Sequence, residues 1–139
     1  MARRKTTGEA ERGSRREPLE SRIQRDFIAY LTVRGWFVRT THGNAFQKGF
    51  PDLFCFHQQW GFRWVDLKRP GKYEFTRAQR DQWPQWDAAG VGVWIVVAAT
   101  QAEYDKLFAP PNWRDYWKPS YHDPQPLLER LAADYAATR

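Results

Sequence analysis

The apolar positions of the chain change period several times, and each change marks an element. From Leu19 the spacing is helical: at 100° per residue, Tyr30, Ile23, Phe27 and Leu31 fall roughly 20°, 40°, 80° and 120° from Leu19. Glu17 and Pro18 open this helix, with Pro at a first-turn position where its missing N–H costs nothing. It is expected to run to about Arg34 and to stop at Gly35. One carboxylate interrupts the stripe, because Glu20 falls at roughly 100°, between Phe27 and Leu31. Arg22, Arg25, Asp26 and Ala29 fill the opposite arc.

Beyond Gly35 the pattern is that of strands. "WFVRT" (36–40), "DLFCF" (52–56) and "FRWVDLK" (62–68) read as three strands. The first leads into the loop "THGNAFQKG", and "QQWG" makes a tight turn between the other two. A second helix begins at Thr76, where Pro84 is expected to kink or split it. "VGVWIVVA" (91–98) is continuously apolar, as a strand covered on both faces is, and "QAEYDKLF" (101–108) reads as a short helix. The order α-β-β-β-α-β-α predicts an α/β fold with one mixed central sheet flanked by helices.

From Pro110 the chain turns rich in proline and aromatics, and 127–138 can form a last helix through Leu127, Leu128, Leu131 and Tyr135. Residues 109–139 are read as an extension packed on the domain or on a dimer partner. Trp113, Tyr116 and Trp117 would be costly to leave exposed.

Composition narrows the class. A chain of 139 residues with 42% hydrophobic content suits one domain with a real core. Mean hydropathy is −0.80 and no long apolar run occurs, which argues against a membrane span. No charged-then-apolar leader is seen, so no secretory signal is expected. Cys55 is the sole cysteine and has no Cys/His cluster of zinc spacing around it, so core packing in a reducing cytoplasm fits best. Net charge is +6, and residues 1–16 hold six cations against two acids, a balance of +4. That segment reads as a disordered basic arm, either a solubilising tail or a salt-sensitive contact to nucleic acid.

The strand 62–68 carries the candidate chemistry. Alternation puts Phe62, Trp64, Asp66 and Lys68 on one face, with Arg63, Val65 and Leu67 on the other. Asp52, directly after Pro51, begins the preceding strand, which should be its antiparallel neighbour. If Asp52 and Asp66 converge, their charges repel unless a cation lies between them. With oxygen ligands and a phosphate substrate, Mg²⁺ or Mn²⁺ is favoured over zinc. Lys48, Arg63, Arg69, Lys72, Arg77 and Arg80 flank these residues in sequence as candidate phosphate contacts.

Pro51-Asp52 followed by Asp66-Leu67-Lys68 resembles the Pro-Asp…(Asp/Glu)-x-Lys signature of restriction-endonuclease-like nucleases. More narrowly, Glu20 in the leading helix, "GFPDLF", "WVDLKRPGKYEFTRAQRDQW" and "GVGVWIVV" resemble the VRR-NUC family over roughly residues 17–108. That family includes small phage and bacterial nucleases and the nuclease domain of the Fanconi-associated enzyme. The resemblance implies a restriction-endonuclease-like core and a metal-dependent endonuclease acting on DNA, often at branched, flap or junction structures. It implies that Asp52, Asp66 and the Leu67 carbonyl hold the metal, that Glu20 completes the shell directly or through water, and that Lys68 orients or activates the attacking water. Gln79 matches a glutamine the family places after the catalytic strand. One departure is Asp66, where the family usually has Glu, for which an altered metal distance is expected rather than loss of activity.

Blander readings stand beside these. Asp66 and Lys68 could form a surface ion pair worth about 0–1 kcal/mol, and Glu20 could serve the dipole of its helix. Thr76 to Gln79 spells a capping box, so Gln79 has two roles open to it. His42 and His57 lack a partner pattern. Asn44, in the same loop as His42, could reach DNA. The alternatives for the whole chain are a noncatalytic DNA-binding module and a subunit of a larger DNA-processing assembly, with a homodimer also open.

Overall fold

The first helix, α1 (Leu19–Thr32), forms on the stripe its spacing dictates: Ile23, Phe27 and Leu31 are buried, and Leu19 packs beside them. It closes two residues earlier than expected, in a turn where Arg34 N–H donates to Leu31 O and Gly35 N–H to Thr32 O. Gly35 takes φ 89°, a left-handed conformation open to glycine at little cost. The computed structural model describes residues 19–41, 48–121 and 132–137. The basic arm, Glu17 and Pro18, His42, Asn44 and most of the proposed last helix lie outside the described residues. Of that helix, 132–137 is helical and exposed.

Strands β1 (Phe37–Thr40), β2 (Leu53–His57), β3 (Gly61–Leu67) and β4 (Val93–Val96) form one mixed sheet in the order β1-β2-β3-β4. The first two pairings are antiparallel and β3 pairs with β4 in parallel. The parallel step requires a crossover, which α2 (Arg77–Ala88) supplies. A short helix, α3 (Gln101–Asp105), continues into a 3₁₀ turn at Lys106–Phe108, and a second 3₁₀ turn follows at Trp113–Tyr116.

Two expectations need correction. Helix α2 is not split at Pro84; it runs unbroken through it, with the proline ring buried. The loss is one backbone bond, and burial of the ring offsets it. Strand β4 is shorter than the apolar run, because Val91 N–H donates to Trp86 O and Val97 N–H to Glu103 Oε1 instead of to a neighbouring strand.

The core lies on both sides of the sheet. Leu53, Cys55, Val65, Leu67 and Val96 pack against α1 with Trp36 and Leu107. Burial pushes the Cys55 thiol up to about 12, which makes it inert packing. On the other side, Val93 and Ile95 pack with Phe75, Trp83 and Trp113. The described start of the C-terminal extension, through Trp113, Tyr116, Trp117 and Tyr121, is therefore part of this core. Asn112 fastens it by accepting from Ile95 N–H at 2.6 Å and donating to Ile95 O at 3.1 Å, as a further strand would at the edge of β4.

Candidate active site

The register of the β2–β3 pair brings the two aspartates together. Leu53 lies opposite Val65, so one step further along the ladder sets Asp52 against Asp66. The two segments lock reciprocally: Asp52 N–H donates to Asp66 Oδ1 at 3.1 Å, and Leu67 N–H, one residue past Asp66, donates to Asp52 Oδ2 at 2.8 Å. Neighbouring segments hold Asp52 in place. The Thr41 hydroxyl donates to Pro51 O, and Thr41 N–H to Asp52 O at 3.0 Å. Gly49 O accepts from Trp83 Nε1 at 2.7 Å, and a Cβ at Gly49 would lie 2.9 Å from Ala78 O. Only glycine lets the loop before Pro51 come this close to α2.

Lys68 follows directly and is 3% exposed, so it is no surface pair. Its ammonium donates to Glu74 O at 3.0 Å and to Gln79 Oε1 at 2.9 Å. It also lies 2.9 Å from Asp66 Oδ2, at ion-pair distance. That oxygen nevertheless has no hydrogen-bond partner by direction, so we take this contact as Coulombic rather than as a directed bond. The Phe75 and Trp83 rings wall the ammonium at 4.9 Å and 5.7 Å, within cation–π range.

Gln79 takes both roles open to it. Its N–H donates to Thr76 Oγ1 and its Oε1 accepts from Thr76 N–H, each at 3.1 Å, completing the capping box. The second lone pair of Oε1 accepts from the Lys68 ammonium, and Nε2 donates to Asp66 Oδ1 at 3.3 Å. The cap of α2 and the polar cluster therefore share one side chain.

Electrostatics mark the pair as strained. The Asp66 carboxyl is pushed up to about 7, first by burial and then by the Asp52 charge, against the pull of Lys68. Burial also raises Asp52, opposed by the Leu67 N–H and Lys68. Glu20 adds a weak upward push on Asp52 from the first turn of α1. Its charge reaches the pair, but among the described residues no three His, Cys, Asp or Glu side chains converge as a metal-holding group. The donor set is thus two carboxylates, with Asp66 Oδ2 lacking a donor, and it fits a hard cation that keeps its own waters.

The candidate phosphate contacts diverge. Lys48, Arg69, Lys72 and Arg77 are exposed, whereas Arg80 is half-buried with its guanidinium 5.0 Å from the Tyr121 ring centroid. Arg63 is committed elsewhere: it donates to Leu107 O at 2.7 Å and to Trp60 O and Phe62 O. Alternation had already placed it on the face away from Asp66. Sequence reasoning missed Thr41 and the Glu74 carbonyl, since one acts through its place after β1 and the other through its backbone.

The face that carries Asp66 continues outward as aromatic rows. Arg39, Phe54 and Trp64 lie side by side, and beyond them Phe37, Phe56 and Phe62, the last 61% exposed. Arg39 folds back over the Phe37 ring at 4.0 Å.

No protein-family model matches the chain, and no curated protein matches it. A solved structure described as a VRR_NUC domain shares the fold, with a TM-score of 0.51 and 21% identity over 66% of this chain and 96% of that one. The architecture is thus the α/β, restriction-endonuclease-like arrangement expected from the sequence.

Proposed function

We propose that this protein, built on the fold of a VRR_NUC domain, is a divalent-metal-dependent DNA endonuclease. The observation that carries the reading is the buried Asp52–Asp66 pair with Lys68 clamped beside it. Two carboxylates kept together in a dry place, with an oxygen lacking a donor, are costly for folding alone. Asp52 and Asp66 would hold Mg²⁺ or Mn²⁺, with the Leu67 carbonyl and Glu20 as the further donors that the resemblance implies. Such a cation, when bound, lowers the pKa of water and offsets charge on phosphoryl oxygens.

The chain's own residues supply the rest. Gln79 and the Glu74 carbonyl occupy two of the three Lys68 N–H donors, and the ammonium lies 2.9 Å from Asp66 Oδ2. The Lys68 ammonium would add positive charge where negative charge develops on a phosphoryl oxygen held at the pair. Lys48, Arg69, Lys72 and Arg77 offer exposed positive charge to a polyanion. Branched, flap or junction DNA is the substrate class taken from the family resemblance. A homodimer belongs to the same reading, supported by the exposed Phe37, Phe56 and Phe62 row.

The test is a nicking assay on flap and four-way DNA with Mg²⁺ or Mn²⁺. Wild type should cut, and Lys68→Ala and Asp66→Ala should lose on the order of 10²–10³-fold or more while still folded. Wild type that binds this DNA without cutting it under either ion returns the protein to the noncatalytic class. Sedimentation of the same preparation reads the dimer: Phe62→Glu should halve the mass, and a monomeric wild type disposes of it.

A further inference from the structure

The Lys68 ammonium takes part of its orientation from a segment with no regular structure. Residues 68–76 form neither strand nor helix and include Gly71 at φ 77°, yet Glu74 O in this segment accepts from Lys68 Nζ. No ladder holds that carbonyl in place. The Tyr121 hydroxyl reaches this segment from the C-terminal extension, accepting from Phe75 N–H at 3.0 Å and donating to Glu74 Oε2 at 3.0 Å. The direction follows from chemistry, because an N–H only donates and an ionised carboxylate only accepts.

The Glu74 carbonyl and the Phe75 N–H belong to one planar peptide unit. Fixing the N–H therefore fixes the carbonyl that Lys68 uses. Packing supports the same geometry: the Tyr121 ring lies 5.6 Å from Phe75 and 5.2 Å from Trp117, and Trp117 lies 5.4 Å from Phe75. Lys118 Nζ holds the other Glu74 oxygen at 2.7 Å. The Phe75 ring that Tyr121 steadies is also the one facing the Lys68 ammonium.

We infer that Tyr121 is a positioning residue for Lys68, acting through the Glu74–Phe75 peptide, and that the extension thereby completes the candidate active site. This rests on the nuclease reading. It gives the aromatic segment after Pro110 a role in the reaction, beyond covering the core.

Tyr121→Phe in the full chain tests it, since the ring stays and both hydroxyl bonds go. The kcat for DNA nicking should fall about tenfold, a part of the roughly 100-fold that a 1 Å misplacement can cost, with KM unchanged. A second measurement needs no activity: the ¹⁵N side-chain ammonium signal of Lys68, assigned by its loss in Lys68→Met. It should shift and broaden in Tyr121→Phe, while that of Lys106, held by Glu103 and the Tyr116 hydroxyl, stays put. A Tyr121→Phe protein with an unchanged Lys68 signal overturns the inference, as does one with wild-type kcat where wild type cuts. If wild type cuts nothing, the nuclease reading fails by itself, and the ammonium signal still decides whether Tyr121 holds Lys68.

Discussion

The two faces of β3 come from alternate residues of one strand and behave as opposites. Val65 and Leu67 point into an apolar layer closed by Ile23, Phe27 and Leu31 of α1. Asp66 and Lys68, on the other face, are buried just as deeply, at 1% and 3% exposure, among Asp52, Gln79 and a backbone carbonyl. The first face gains free energy from every methyl group it hides. The second pays for desolvated charges with hydrogen bonds that recover only part of the cost. Equal burial therefore says nothing about purpose; what is buried, and against what, does.

The largest effect that would break this contrast lies on the apolar face. Phe27→Ala should cost about 3–5 kcal/mol in urea unfolding, as large-to-small core changes do. Nicking per folded molecule should stay near wild type, since Phe27 packs in the apolar layer with Leu53, Val65 and Leu67. A variant that folds normally but cuts poorly would show that the two faces are coupled.

The polar face should respond to pH in the metal-free protein. An acid whose pKa is raised by folding contributes stability that is full below its ordinary 3.8 and is lost as pH rises through about 7. Asp66 is that case, so Tm should fall between pH 5 and pH 8. Asp66→Asn should flatten the fall and melt higher than wild type at pH 8. Mg²⁺ should raise the wild-type Tm at pH 8 far more than at pH 5, where the pair carries less charge. A Tm that climbs across this window counts against a strained acid pair.

The smallest effect separates cap from site. Thr76→Ala removes the hydroxyl that accepts from Gln79 N–H and should cost about 1 kcal/mol of stability with little change in kcat. Gln79→Ala should lose the same stability and much of the cleavage as well. Equal losses of cleavage from both would mean that Gln79 matters only by starting α2.

Much of this was legible in the chain. The period of 3.6 from Leu19 and the alternation through residues 62–68 named the elements and their faces, because side-chain direction follows local geometry alone. Arg63, a candidate phosphate contact by its place in the sequence, left the site only in the structure, where its guanidinium donates to the Leu107, Trp60 and Phe62 carbonyls. The split open to Pro84 did not occur for the converse reason: the local rule counts a lost backbone bond, and the core that buries the ring is not local. Glu20 was an anomaly visible on the helical wheel, yet its distance from Asp52 depends on how α1 sits on the sheet.

Sequence by itself determined which residues could be acids, cations and core, and which face of each element they would share. Only the tertiary structure decided that Asp52 meets Asp66 one step beyond Leu53 and Val65, and that Gln79 serves cap and cluster together. It also decided that a tyrosine near the end of the described chain holds the peptide on which Lys68 rests. Register and long-range contact are properties of two segments at once. Their energies come from burial and hydrogen bonds that no single segment contains.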